Sequence, residues 1–167
     1  MSEYLTITDS YINIDFQVQD SSWPDLKDLA IKATKTVFQK LNINKLALQI
    51  EFSIILTNND QIQEINYKYR NKNSPTNTLS FPAQDIILDN IRFYDGFLYL
   101  GDIIFAYMVI KDEAIRDNKT FNDHFSHLLV HSLLHLLGYD HIEPSEAEIM
   151  ENLEIEILSL LKIESPY

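Results

Sequence analysis

Five histidines, His124, His127, His131, His135 and His141, stand in the run HFSHLLVHSLLHLLGYDH. An α-helix turns about 100° per residue, so residues four apart lie about 40° from each other, one turn along the same face. His131 and His135 have that spacing and can present two imidazoles to one metal ion. A continued helix would carry His141 to the far side. Gly138 lies between them, and glycine ends helices readily because it accepts positive φ. The chain can then swing His141 back as a third donor. Three neutral nitrogens suit Zn²⁺ and leave a fourth position for water. A metal so held makes hydroxide available near neutral pH. The pattern H-x-x-x-H-x-x-G-x-x-H therefore predicts His131, His135 and His141 as metal ligands, with one Zn²⁺ per chain.

The other residues of this run divide differently. His127 sits one turn before His131 and is expected to pack or to support the ligands, since a fourth histidine would close the site. His124 is expected on the surface or in a hydrogen bond. The spacing matches the metzincin proteases, H-E-x-x-H-x-x-G-x-x-H, in which the glutamate is the general base. Here that position is Ser132, whose hydroxyl cannot replace a carboxylate base. Asp140 can orient a ligand imidazole or close the turn after Gly138, and Tyr139 is expected to pack.

Three blocks resemble the bacterial YbeY family. HSLLHLLGYDH at 131–141 is similar to the family signature H-G-x-L-H-L-x-G-Y-D-H. YRNKNSPTNTLSFP at 69–82 is similar to Y-R-x-K-x-x-P-T-[DN]-V-L-S-F-P, and LGDI stands at 100–103. The blocks come in family order and the resemblance spans about residues 45–165. Two positions depart: Ser132 replaces glycine, where a side chain is expected to crowd the approach to the metal, and Thr78 replaces valine. The resemblance implies a single-strand-specific endoribonuclease of rRNA processing, maturing the 16S rRNA 3′ end and serving ribosome quality control. It implies His131, His135 and His141 as zinc ligands and Arg70 as catalytic. A guanidinium can hold two phosphoryl oxygens at once, and Lys68 and Lys72 flank it. Thr76, Asn77 and Ser80 suit substrate contacts and turn or capping roles equally. The implied partners are ribosomal RNA, ribosomal subunits and ribosomal proteins, with neither DNA nor membrane. Rival readings are a zincin-type metallopeptidase, which the missing glutamate opposes, and a non-catalytic ribosome-assembly factor with a closed zinc site.

These residues need elements to hold them. Alternation predicts a strand over 11–18, another over 45–56 and a third over 98–107. Helical spacing places helices over 25–41, 60–69, 108–118, 121–137 and 145–161. Ser21 to Pro24 supply helix-start chemistry, and Asn58 to Asp60 can cap the second helix with Ile62, Ile65 and Tyr69 inward. A polar loop runs from Asn71 to Asn77, residues 79–81 are extended, and 83–97 read as a loop with a hairpin across Asp89-Asn90. In the last helix, Glu146, Glu148, Glu151 and Glu154 form an acidic face opposite Ile149, Leu153, Ile157 and Leu160. The lysines of the first helix read as a solvated face.

Composition bounds the rest. The 167 residues fit one domain, 1–167, and 46% hydrophobic with 23% charged residues is ordinary for a globular chain. No cysteine occurs, which excludes disulfides, thiolate ligands and a cysteine nucleophile. The net charge of −12 is unlike the usual nucleic-acid binder. Residues 120–167 hold one basic and nine acidic residues, a net of −8, so basic clusters can persist only in the earlier part. The start, MSEYLTITDS, lacks a basic region followed by an apolar one, and no stretch approaches the roughly 18 apolar residues of a membrane span. The expectation is a cytoplasmic α+β domain, a small mixed sheet with helices, zincin-like around the metal.

Overall fold

The computed structural model describes residues 2–86 and 88–167, and only the backbone of residues 88 and 89. A five-stranded sheet has the order β1-β2-β3-β5-β4. Its strands are β1 (Glu3–Asp9), β2 (Ile12–Val18), β3 (Leu48–Thr57), β4 (Thr78–Pro82) and β5 (Gly96–Ala106). The β2/β3 and β3/β5 pairs are parallel and the two outer pairs antiparallel, so the sheet is mixed. Five helices complete the fold: α1 (Lys27–Lys40), α2 (Asn59–Arg70), α3 (Tyr107–Arg116), α4 (Phe121–Leu136) and α5 (Pro144–Leu160).

Alternation decides which face each strand buries. Ile12, Ile14 and Phe16 of β2 join Ile50, Phe52 and Ile54 of β3 in the main core, against α1, α4 and α5. The opposite face, with Ile55 and Ile104, packs on Ile62 and Ile65 of α2 in a second, smaller cluster. Along β5 the inward set changes parity, from Leu98 and Leu100 to Ile103 and Phe105. The cause is a bulge: Glu51 stands opposite Tyr99, but Ser53 stands opposite Asp102. Gly101, at φ +132, takes up the extra residue, and a Cβ there would lie 2.1 Å from the backbone oxygen of Phe81 on β4. Only glycine permits both that φ and that approach.

Four expectations change. β1 was not anticipated; six of its seven residues pair outside the core, and only Ile7 packs against it. The loop across Asp89-Asn90 is a 3₁₀ turn over Leu88–Phe93 rather than a hairpin. Tyr69 is 60% exposed, not inward; its ring lies at the end of α2, edge-on to Phe81 and beside Lys68. The buried residues of α5 are Met150, Glu154, Ile157 and Leu158, while Ile149 and Leu160 are exposed. The helix is thus rotated by about one residue from the expected face, and Glu154 turns inward. None of the described helices is long and apolar enough to cross a membrane.

Candidate active site

The site is built on the end of α4. Thr120 caps the helix, its side chain accepting from the Asp123 amide at 3.0 Å. At the other end the Gly138 amide donates to the His135 carbonyl and the Tyr139 amide to the Leu134 carbonyl, both at 3.0 Å. Gly138 has φ 97. This paired closure turns the chain sharply back, and Asp140 tightens the turn by accepting from the His141 amide at 2.8 Å. His141 returns to the helix end, its ring centroid 5.6 Å from that of His131 and 5.0 Å from that of His135. The donor atoms of the three imidazoles lie within 4.8 Å of one another.

The proton positions follow from what stands behind each ring. His135 Nδ1 donates to the Tyr139 carbonyl at 3.0 Å, since a carbonyl can only accept. His131 Nδ1 faces the Glu154 carboxylate. Burial by itself raises the Glu154 carboxyl, but the neighbouring imidazoles of His127 and His131 and the Tyr167 hydroxyl outweigh it and hold it at about 2. Glu154 is therefore ionised near neutral pH, and His131 Nδ1 carries the hydrogen. Both Nε2 atoms then present lone pairs, and they face each other at 3.0 Å. Two lone pairs so close repel unless a cation or a proton stands between them. Burial, followed by the proximity of His131, pushes the His135 imidazole down to about 4, so His135 is neutral near neutral pH and keeps its Nε2 lone pair. The donor set, three nitrogens with two Nδ1 hydrogens already committed, fits a metal of the zinc type.

A cleft of about 750 Å³ opens over these rings and includes Arg70, Ser80 and Tyr167 in its walls. Arg70 ends α2, where Asn71 turns the chain with φ 55. Its Nη2 donates to the Ser80 carbonyl at 3.1 Å, and its guanidinium lies 5.7 Å from the centroid of the Phe81 ring. The loop between α2 and β4 is fastened by buried Asn66, whose amide donates to the Ser74 carbonyl at 2.8 Å. Lys72 lines the cleft; Lys68 instead lines a second cavity beyond β4.

The remaining candidates take definite places. Asn77 donates to Glu113 at 3.0 Å, and Glu113 meets His124 Nε2 at 2.7 Å. His124 is buried, so this chain of contacts ties the entry of β4 to α3 and α4. Ser132 is also buried and does not line the cleft; its hydroxyl meets Thr78 Oγ1 at 3.1 Å. The expected crowding of the metal does not arise, and the two departures from the family pattern are partners of each other. His127 lines the cleft but is outside the three-nitrogen group. Its ring nitrogens are buried without a hydrogen bond, and its Nε2 lies 3.8 Å from Glu154.

Sequence reasoning missed Glu154 and Tyr167. Glu154 is fully buried, with one oxygen toward His131 and the other accepting from the Tyr167 hydroxyl. Its signal was present: residue 154 is four from both Met150 and Leu158, inside the buried stripe.

The family model described as Endoribonuclease YbeY matches residues 13–162. A curated Endoribonuclease YbeY of Francisella tularensis subsp. holarctica is 40% identical over 163 residues, 93% of each chain. The solution structure of the Thermotoga maritima protein TM1509 has the same fold, with a TM-score of 0.55 at 20% identity, covering 90% of this chain and 91% of its own.

Proposed function

The chain belongs to the endoribonuclease YbeY family, and from that premise we propose that it is a zinc-dependent endoribonuclease cutting single-stranded RNA during ribosomal RNA maturation in the cytoplasm. The observation that carries the reading is the joint placement, in one cleft, of two facing imidazole lone pairs and an oriented guanidinium. His131, His135 and His141 would hold the ion, which when bound supplies Lewis acidity and makes hydroxide available near neutral pH.

The chain's own residues supply the rest. Glu154 and the Tyr139 carbonyl keep the two rings in the tautomer that offers Nε2. Arg70 has five N–H donors, and one is spent on Ser80. The others are free to hold two oxygens of a phosphodiester, which gain negative charge as the bond breaks. Lys72 adds positive charge to the same cleft, and this local field offsets the chain's overall acidity. No carboxylate stands at position 132 to act as a peptidase base. The nucleophile is water or the RNA 2′-hydroxyl, which the product ends distinguish.

The test is cleavage of single-stranded ribosomal RNA by metal-stripped and zinc-restored protein. Activity should vanish on stripping and return with zinc. Cleavage that survives complete metal removal would refute the proposal. A 2′,3′-cyclic phosphate product would assign the 2′-hydroxyl as nucleophile.

A further inference from the structure

The second cavity has a volume of about 580 Å³, within the range of small-molecule sites. Its walls are apolar and aromatic: Ile55, Ile65, Ile104, Tyr69 and Phe81. Lys68, Glu64 and Asp102 supply the polar groups. β4 separates it from the cleft of the three histidines. Ser80 and Pro82 line that cleft, and Phe81 between them lines the second cavity. The end of α2 divides in the same way, with Lys68 and Tyr69 on one side and Arg70 on the other.

The rings join the two sides. The Arg70 guanidinium lies over Phe81, and Phe81 meets Tyr69 edge-on at 5.3 Å between centroids, with the planes 66° apart. Tyr69 is 60% exposed and carries Lys68 Nζ at 5.1 Å from its ring. An exposed tyrosine beside a phenylalanine, each attended by a cation, is the composition of a platform for unpaired bases. The acidic groups decide what enters. Glu64 and Asp102 would repel a phosphate, whereas their oxygens can accept from the amino groups of a base. Lys68, Arg70 and Glu64 are exposed and Asp102 is half-buried, so both cations and acceptors are within reach of a strand lying across the surface.

From this arrangement we propose that the cavity is a base-stacking subsite. It takes the unpaired nucleobase adjoining the phosphate that Arg70 holds, in a single RNA strand crossing β4. The inference rests on the endoribonuclease reading and deepens it. It also accounts for single-strand preference, because a paired base cannot leave its stack to enter the cavity.

The test measures binding of two fluorescent strands of equal length to zinc-loaded protein, with probe integrity checked on gels. One is a short 2′-O-methyl oligoadenylate; the other has the same backbone without bases. Tyr69→Ala and Phe81→Leu should each weaken the oligoadenylate about fivefold, the low end for one lost base–aromatic stack. Tyr69→Ala should leave the abasic strand unchanged, whereas Phe81→Leu, which also removes the ring beneath Arg70, should weaken it less than it weakens the oligoadenylate. Tyr69→Phe should bind as the wild type does. Arg70→Ala should weaken both strands equally, because it contacts phosphate. Equal losses on both strands for the aromatic variants, or no loss, would overturn the subsite. If the wild type cuts RNA yet binds both strands equally, the subsite falls and the endoribonuclease reading stands. If it binds neither and cuts no RNA, both fall.

Discussion

Replacing Glu154 should lower both zinc affinity and the stability of the metal-free protein. The carboxylate is fully buried, with one oxygen toward His131 Nδ1 and the other toward the Tyr167 hydroxyl. Removing such a group from behind a metal-bound histidine costs about 10–100-fold in metal affinity, or about 1.4–2.7 kcal/mol. The two ends of that range correspond to two substitutions. Glu154→Gln keeps an oxygen for His131 and a polar group for Tyr167 but loses the charge. Hydrogen bonds to a charged acceptor are about twice as strong as neutral ones, so the glutamine form should lose about tenfold. Glu154→Leu leaves Nδ1 with no acceptor, and the imidazole is then free to place its hydrogen on Nε2, where no lone pair remains for the ion. It should lose about 100-fold. Removing one partner of a buried, charge-assisted hydrogen-bond group is destabilising, and leucine leaves both His131 Nδ1 and the Tyr167 hydroxyl without their acceptor, so the leucine form without metal should melt earlier than the wild type. The assay is competition with a chromophoric chelator, beside melting curves of the stripped proteins. Affinity within twofold of wild type in the leucine form would refute the reasoning.

His135→Ala should reduce zinc from about one ion per chain to well below that by elemental analysis, since two donors hold zinc poorly; full occupancy would contradict the three-histidine assignment. Arg70→Ala should retain zinc and melting temperature but cut RNA about 10²–10³-fold more slowly, with Arg70→Lys recovering part, and wild-type rates in the alanine form would show the guanidinium idle. The metal-free protein should lose stability on acidification in two adjoining windows, read by melting temperature against pH. His135 is held down from 6.5 to about 4, so the unfolded chain binds more protons and stability falls as pH drops from 6.5 toward 4. Glu154 is held down from 4.5 to about 2, so its contribution is complete above 4.5 and lost as pH drops toward 2; Glu154→Gln should remove that lower window, and a profile flat across both windows would count against the burial of His135 and the hydrogen bonds of Glu154. Ser132→Glu should yield no peptidase and an earlier melt, because position 132 is buried beside Thr78 and away from the cleft; chelator-sensitive proteolysis by that variant would reverse this view.

The convergence of the three histidines was legible because its geometry is local. Helical spacing relates His131 to His135, and the closure at Gly138 uses carbonyls only a few residues back. Arg70 was reachable only through a resemblance, since its partner Ser80 comes from another element. Glu154 lies 23 residues from His131 and reads as one more acid on an acidic helix. Attention to the four-residue spacing of Met150, Glu154 and Leu158 would have turned it inward. The Ser132–Thr78 contact spans 54 positions and leaves no periodic mark. β1 alternates in sequence, but it pairs only with β2 and most of its residues are exposed, so its apolar content is too small to announce it. The ends of α5 and α2 show the complementary error. Spacing fixes which residues share a stripe, but the neighbouring element decides how far that stripe is covered.

Gly101 gives the scaffold an unexpected reach. The backbone of β4 stands where a side chain at 101 would be, and β4 is a wall of both cavities. A methyl group there has no soft neighbour to displace. It must push the strand that carries Ser80 toward Arg70, Thr78 toward Ser132 and Phe81 toward Tyr69. In a random mutagenesis screen, alleles at this codon would therefore score among the inactive ones while keeping every histidine and the arginine intact. Suppressors should arise in residues 83–95, where a lengthened or loosened connection lets β4 retreat as one piece.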